Sequence, residues 1–400
     1  MNLMQKPLSR SLPTATPEEV GLSPEGLAKL SDVMRHEVET KHVPGVSMLI
    51  SRHGKVAYRE NIGFVRPDGP RLREDAIFRV YSMTKPIVSV AIMMLVEEGR
   101  LFISDPLSKF IPEFAHPRVG VEKGAKLELV AAKREITIHD LLRHTSGLTY
   151  GFTGNSPVQR LYTDAPLRAP GITNAGHVAE LAKLPLLNQP GTHWDYSHST
   201  DVLGRIIEIV SGRTLGDFLK GHILGPLRMD DTGFSAPPEK HDRLAEPFAK
   251  DPDTGAPVTL IDQRSPPSFE SGGGGLVSTI DDYARFLHML YHGGTLDGVR
   301  ILGRKTLAFM ASDHLGSQVV IGSDLLPPGH GFGLGFAVRL ASGMAPTPGT
   351  IGEFYWGGIA GTAFWIAPAE ELVALMLIQA PGQRVYFRQL FRNLVHAALA

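Results

Sequence analysis

With 400 residues, 42% of them hydrophobic and 20% charged, the chain fits a globular protein of two or three structural units. A formal net charge of −1 excludes the basic excess by which proteins bind nucleic acid or membrane surfaces, so we expect neither as a partner. The chain has no cysteine, which excludes disulfides, thiolate metal sites and cysteine nucleophiles.

The chain opens with an amphipathic helix and a β-hairpin. Residues 1–7 lack the apolar segment of a secretory signal, which is about 7–15 residues long, and no later run reaches the ~18 apolar residues of a membrane span. We therefore expect a cytoplasmic protein. Ser23 is a preferred N-cap for the helix, and two apolar strands follow around a turn at residues 53–54.

A third short strand, residues 77–80, leads into an apolar helix that begins near Ser82. On such a helix Ser82 and Lys85 lie one turn apart on the same face. A partly desolvated lysine can lose its proton and accept that of a serine hydroxyl, so the pair can form a nucleophile and its base. Taken alone, the pair is more simply explained by an N-cap serine and an exposed lysine.

The strand signal fades between residues 101 and 291, where short helices alternate with turn-rich passages at residues 151–171 and 234–267. We expect these passages to form walls of a pocket. The glycine run at residues 272–275 predicts a close backbone approach. It does not predict a phosphate-binding loop, because no Gly-Lys-Ser/Thr follows it.

The C-terminal part returns to β-structure and ends in an amphipathic helix. Its strand candidates are residues 332–340, 350–356, 361–366 and 372–378. The sequence therefore predicts an α+β fold in which an antiparallel sheet, built from both termini, is flanked by helices. Residues 1–104 and 290–400 would form this domain, and residues 105–289 a mainly helical inserted domain, with the active site at the interface.

Two more features could take part in chemistry. Tyr196 precedes a helix, where a tyrosine beside a cation can exchange a proton with a nearby serine, although a half-buried packing tyrosine would look the same. Trp356, Gly357 and Gly358 end a strand candidate. Paired glycines there let a substrate lie along the strand and expose backbone N–H groups to an oxyanion, although a β-bulge is an equal alternative.

The three features, in this order, resemble the motifs S-x-x-K, Y-x-N and K-T-G of the serine β-lactamase and penicillin-binding-protein superfamily. Here they read Ser-Met-Thr-Lys at residues 82–85, Tyr-Ser-His at 196–198 and Trp-Gly-Gly at 356–358. The class C branch is also similar at residues 141–148, 190–197, 225–229 and 274–279. The resemblance covers nearly the whole chain and implies a β-lactamase-like fold.

Two departures from the motifs bear on the substrate. His198 replaces the asparagine of the second motif, and Trp356 replaces the lysine of the third, which removes a cation. A neutral aromatic wall suits an uncharged acyl or alcohol group. This combination is similar to family VIII carboxylesterases, which implies a serine carboxylesterase that hydrolyses small, short-acyl esters.

The resemblance implies a role for each matching residue. Ser82 would attack the ester carbonyl, and Lys85 with Tyr196 would accept its proton and deliver it to the leaving alcohol. The backbone N–H groups of Ser82 and Ile359 would form the oxyanion hole. The implied substrate-binding residues are Trp356, Gly357, Gly358 and His198.

Other readings stay open. A β-lactamase or D-amino-acid peptidase of the same superfamily would act on amides, and a non-catalytic member would only bind a ligand. An α/β-hydrolase is not indicated, because the chain lacks G-x-S-x-G. We expect no metal and no cofactor, since the pairs His139 with His144 and His193 with His198 have a spacing that places them on different faces of a helix. The sequence does not predict the oligomeric state.

Overall fold

The computed structural model describes residues 11–124 and 126–400, so the segment at residues 1–7 lies outside it. Its helices are α1 Pro24–Glu39, α2 Thr84–Glu97, α3 Ile138–Leu142, α4 Pro157–Asp164, α5 Asn174–Leu181, α6 Ser199–Ser211, α7 Leu215–Leu219, α8 Ile280–Tyr291, α9 Arg304–Met310 and α10 Arg384–Ala397. Its strands are β1 Gly45–Arg52, β2 Lys55–Gly63, β3 Phe78–Arg79, β4 Arg118–Lys123, β5 Lys126–Ala131, β6 His193–Trp194, β7 Val277–Ser278, β8 Thr295–Leu296, β9 Val299–Arg300, β10 Val320–Ile321, β11 His330–Phe332, β12 Ala337–Arg339, β13 Phe354–Gly357, β14 Ala363–Ala367 and β15 Leu372–Ile378.

The main sheet joins the two ends of the chain. Its seven antiparallel strands lie in the order β11-β12-β13-β14-β15-β1-β2. The N-terminal hairpin enters it through the pairing of β1 with β15, in which Val46 lies opposite Ile378. The predicted α+β fold, with an antiparallel sheet built from both termini and flanked by helices, is confirmed.

The central strand β15 is apolar throughout because both of its faces are covered. Leu372, Ala374, Met376 and Ile378 pack in one core with α1 and α10, whereas the alternate residues of the strand join the larger core that contains α2 and α8. Every residue of β15 is buried. This is the two-residue period of a strand that lies between two helical layers.

Two predictions about strands are wrong. The third strand, β3, does not join the main sheet but pairs with β7 in a separate two-stranded sheet. The candidate at residues 332–340 is two strands, β11 and β12, which pair with each other. A glycine with a φ of 97°, Gly335, lies in the turn between them, where a left-handed backbone conformation favours glycine.

The region predicted to be helical also differs in detail. Strands β4 and β5 form a hairpin that was not predicted from the sequence. Their residues are mostly exposed, and the apolar alternation is short, at Val119 with Val121 and Leu127 with Leu129. The turn-rich passage at residues 151–171 contains α4. Its start has the signature of a capped helix, with Ser156 and Gln159 forming a reciprocal capping box around Pro157.

The division into two domains stays a prediction. Helix α8 crosses the predicted boundary at residue 289, and although most of it belongs to the inserted part, it packs against β15 and β1 of the sheet. The larger core likewise combines residues from both parts of the chain. Among the described residues, no helix has both the length and the apolarity that crossing a lipid bilayer would need.

Candidate active site

Ser82 lies on a short 3₁₀ turn, Tyr81–Met83, that joins β3 to α2. The preceding residue, Tyr81, has a φ of 44°, a left-handed conformation that costs a non-glycine residue about 1–3 kcal/mol. The Tyr81 hydroxyl is held in place by the backbone N–H of Ile261 at 3.0 Å. The N-cap of α2 is Met83, so Ser82 is not the capping residue and its hydroxyl is left for other partners.

Lys85 is 1% exposed and forms hydrogen bonds both to Ser82 and to residues of the predicted helical domain. Its Nζ donates to Ser82 Oγ at 3.3 Å, to Tyr150 Oη at 3.2 Å and to the carbonyl oxygen of Gly273 at 2.6 Å. Each hydrogen of the ammonium group therefore has an acceptor. The structure brings Ser82 and Lys85 together as their spacing predicts.

Tyr196 meets Lys85 through the face of its ring, whose centroid is 4.4 Å from Nζ. Its hydroxyl accepts a hydrogen bond from Nε1 of Trp356 at 3.3 Å. Trp356 thus contributes a neutral N–H to the tyrosine from the position where the third family motif has a lysine. The structure brings together all three sequence motifs.

Tyr150 is a residue of this site that the sequence analysis missed. Its hydroxyl lies beside Lys85, and burial, reinforced by the negative charge of Asp201, raises the pKa of the phenol well above its usual value. The phenol is therefore neutral at physiological pH. Tyr150 follows the family-like segment at residues 141–148 directly, but a lone tyrosine has no pattern of its own, and only the fold reveals its proximity to Lys85.

Asp201, on α6, was also missed and orders the backbone around Lys85. It is 3% exposed and accepts hydrogen bonds from Ser271 Oγ at 2.6 Å and from the N–H of Gly273 at 2.9 Å. Burial opposes its ionised form, but these bonds and its contact with His198 hold the pKa of the carboxyl well below its usual value. The anion fixes the residue whose carbonyl oxygen accepts from Lys85.

His198 lies behind Tyr150, with the two ring centroids 4.3 Å apart, and is 6% exposed. Its Nδ1 is 3.2 Å from Oδ2 of Asp201. Burial lowers the pKa of its imidazole to about 4, so the ring is neutral near pH 7 and this contact is a neutral-donor hydrogen bond. The predicted contact of His198 with a substrate stays a prediction.

The glycines at the end of β13 permit a close backbone approach to the nucleophile turn. A side chain at Gly358 would collide with the carbonyl oxygen of Val80, and one at Gly357 with the guanidinium of Arg388. Arg388, on α10, donates to the carbonyl oxygens of Gly358 and Thr362. It therefore anchors the turn that carries Ile359.

Two backbone N–H groups at this point lack a protein acceptor. Within residues 11–124 and 126–400, the N–H of Ser82 and that of Ile359 donate to no other group, whereas that of Gly358 donates to Thr362. Ile359 is 42% exposed, so its amide lies at the open side of the site. A hydroxyl nucleophile, a lysine and a tyrosine that can exchange its proton, and two free backbone amides suit acyl transfer through a serine.

Residues 30–399 match the protein-family model described as Beta-lactamase. Protein Rv1367c of Mycobacterium tuberculosis (strain ATCC 25618 / H37Rv) is 37% identical over 346 residues, which cover 84% of this chain and 85% of that protein. Esterase EstB of Burkholderia gladioli is 32% identical over 370 residues, 88% and 89% of the two chains. Among solved structures, EstCE1, described as a hydrolase with promiscuous acyltransferase activity, has a TM-score of 0.79 at 26% identity and covers 93% of this chain and 99% of its own.

Proposed function

The chain belongs to the beta-lactamase family and is an esterase-type serine hydrolase, and from this premise we propose that it hydrolyses small, short-acyl esters through an acyl-enzyme on Ser82. The observation that carries the proposal is the hydrogen bond from Trp356 to Tyr196. Trp356 stands where the family motif has a lysine, and no residue of β13 has a charged side chain. A neutral aromatic wall favours an uncharged ester over a substrate with a carboxylate.

In the proposed reaction, Lys85 and Tyr196 together carry one proton fewer than an ammonium and a phenol, and Oγ of Ser82 attacks the ester carbonyl carbon while its proton passes to this pair. The N–H groups of Ser82 and Ile359 bind the oxyanion, and its collapse breaks the carbon–oxygen bond to the alcohol, which takes up the proton. Water then attacks the acyl carbon, its proton is accepted by the same pair, and the acid leaves as Ser82 regains its hydrogen. No cofactor is needed for these steps.

The test is the hydrolysis of p-nitrophenyl butyrate by the wild type and by Ser82→Ala. We expect the variant to lose at least about 10³-fold in kcat, because no other hydroxyl can form the acyl-enzyme. Ser89→Ala is the matched control, since Ser89 is a buried serine on α2, the helix that follows the Ser82 turn. A fluorophosphonate probe should label Ser82, and mass spectrometry locates the adduct.

Three outcomes would overturn the proposal. Full activity in Ser82→Ala would show that the esters are not cleaved through an acyl-enzyme on Ser82. A wild type that neither hydrolyses the esters nor is labelled by the probe would favour a member of the fold that only binds a ligand. Turnover of a chromogenic cephalosporin at a rate matching the esters would favour an enzyme that acts on amides. A series of esters of increasing acyl length defines the preferred substrate.

A further inference from the structure

Three buried side chains behind the active site converge from two helices. His177 lies on α5, and His198 and Asp201 lie on α6 at or beside its first turn. One ligand atom from each lies within 4.8 Å of the other two. We propose that these residues form a binding site for a zinc ion. The site adjoins the one proposed for ester hydrolysis, because Asp201 also orders Gly273 beside Lys85, but zinc binding does not require that the ester reaction takes place.

His177 is arranged as a metal ligand. Its Nδ1 donates to the carbonyl oxygen of Leu167 at 2.7 Å, and because a carbonyl only accepts, this bond fixes the tautomer and leaves a lone pair on Nε2. That Nε2 is buried and has no hydrogen-bond partner among the described residues, and the side chain is 0% exposed. Metal-binding histidines characteristically donate their second ring nitrogen in this way. The ring is further held by stacking on Phe269, with centroids 4.2 Å apart.

The other two ligands have the separation that a zinc ion requires. Nδ1 of His198 and Oδ2 of Asp201 are 3.2 Å apart, close to the edge of a tetrahedron whose bonds are about 2.0–2.1 Å. Ser271 and the N–H of Gly273 already hold Oδ1 of Asp201, so Oδ2 is the oxygen on the histidine side. Binding needs only that the proton on Nδ1 of His198 moves to Nε2 of the same ring.

The chemistry of the three groups selects the ion. Two imidazoles and one carboxylate suit zinc, whereas magnesium and calcium prefer sites made of oxygen atoms. The fourth position is left for water. This proposal departs from the expectation that the chain binds no metal, because that expectation considered only histidines close in the sequence. His177 lies on a separate helix, and His198 occupies a position where the family motif has asparagine.

The experiment loads the purified, chelator-treated protein with zinc chloride, removes free metal by gel filtration and measures zinc per chain by elemental mass spectrometry. We expect about one zinc ion per chain for the wild type, and an affinity at least about tenfold weaker for His177→Ala. Zinc should raise the Tm of the wild type by roughly 2–5 °C, and magnesium should not. His139→Ala is the control, because Nε2 of His139 is already paired with Nδ1 of His314 at 2.9 Å.

The proposal is overturned if the wild type retains no more zinc than His177→Ala, or if His139→Ala loses zinc equally. Circular dichroism shows whether the variants fold. Should His177→Ala fail to fold, His198→Asn takes its place, because it restores the residue of the family motif. It should then retain less zinc than the wild type, and equal zinc content would contradict the proposal. Neither zinc content nor Tm depends on ester hydrolysis. The zinc measurement can therefore be interpreted even if the protein shows no esterase activity.

Discussion

At the scale of single residues, the ammonium of Lys85 contacts two tyrosines in different ways. It donates to the hydroxyl of Tyr150, and it lies over the ring of Tyr196, whose own hydroxyl accepts from Trp356. Burial keeps Tyr150 protonated, so this phenol serves as a hydrogen-bonding partner that positions Lys85. Tyr196 is the phenol that the proposed mechanism uses for proton transfer.

This difference predicts unequal losses in two matched variants. Tyr150→Phe keeps the ring that stacks on Phe152 and removes one acceptor of Lys85, so we expect about a tenfold loss of kcat/KM. Tyr196→Phe should lose about 10²–10⁴-fold, as expected for a general acid–base. Because the pKa of Tyr150 is raised, the pH–rate profile of Tyr150→Phe should keep its wild-type shape from about pH 6 to about pH 9. Equal losses in the two variants would contradict these roles.

Trp356→Phe separates the hydrogen bond from the aromatic wall. The variant keeps an aromatic ring but removes the Nε1–H donated to Tyr196. We expect kcat for p-nitrophenyl butyrate to fall about 3–10-fold with little change in KM, because one such bond contributes about 0.5–1.5 kcal/mol. A raised KM with an unchanged kcat would mean that Trp356 only shapes the pocket.

At the scale of elements, the cap of the five-residue helix α3 positions the segment that carries Tyr150. Thr137 and Asp140 form a reciprocal capping box, and Asp140 also accepts from Arg134 at 2.6 Å and from Thr145 at 2.8 Å. His144 precedes Thr145 in the chain. Its carbonyl oxygen accepts a hydrogen bond from the N–H of Asp195, the residue before Tyr196. One buried carboxylate thus orders the approach to both tyrosines.

Asp140→Asn should therefore destabilise the protein. Burial opposes the ionised carboxyl, but Arg134 and the hydrogen bonds lower the pKa of Asp140 to about 2. Because this folded-state value lies below the unfolded value of about 3.9, the stabilisation is present above about pH 4 and is lost as the pH falls through about 2. We expect the free energy of unfolding in urea at pH 7 to drop by about 2 kcal/mol.

The control for this measurement is Asp32→Asn. Asp32 pairs with Arg35 at the surface, where both side chains are largely exposed, so its loss should cost less than about 0.5 kcal/mol. Equal stabilities of the two variants would show that the bonds around Asp140 do not stabilise the fold.

Strand β15 and helix α2 could be predicted from the sequence because each is an almost continuous run of apolar residues. Each has such a run because nearly all of its surface is buried. The β4–β5 hairpin was not predicted because its signal is weak: each mostly exposed strand has only one short alternation, Val119 with Val121 and Leu127 with Leu129. In the site, the motif residues Ser82, Lys85, Tyr196 and Trp356 were identified, but Tyr150, Asp201 and His177 were not. Tyr150 and Asp201 reach the surroundings of Lys85 from segments far from α2 in the chain, and His177 reaches Asp201 through the packing of α5 on α6.

At the scale of the whole molecule, burial of imidazoles makes stability depend on pH. Burial lowers the pKa of His139 to about 4 and that of His288 to about 4, and it places that of His144 well below its usual value. Both ring nitrogens of His288 lack a hydrogen-bond partner among the described residues. An unfolded chain takes up protons on these residues near pH 6.5, well before the folded protein does.

We therefore expect the Tm to fall as the pH is lowered from about 6.5 towards about 4, since the unfolded state binds more protons throughout this range. His288→Leu removes one of these groups and should reduce the fall between pH 7 and pH 5 by roughly 2–4 °C. Differential scanning calorimetry of the two proteins at both pH values measures the difference. Parallel pH dependence in the variant would exclude His288 as a contributor.

The pairing of β1 with β15 has a consequence for biosynthesis. Strand β1 is made long before its partner on one side, β15, because the pairing joins Val46 to Ile378. Until then β1 and β2 can form only a hairpin whose inner edge, with its unpaired backbone groups, is open to wrong partners. The sheet that positions Trp356 and Ile359 therefore closes only after β15 has been made, so newly made chains depend on a long-range pairing step before they can acquire the active site.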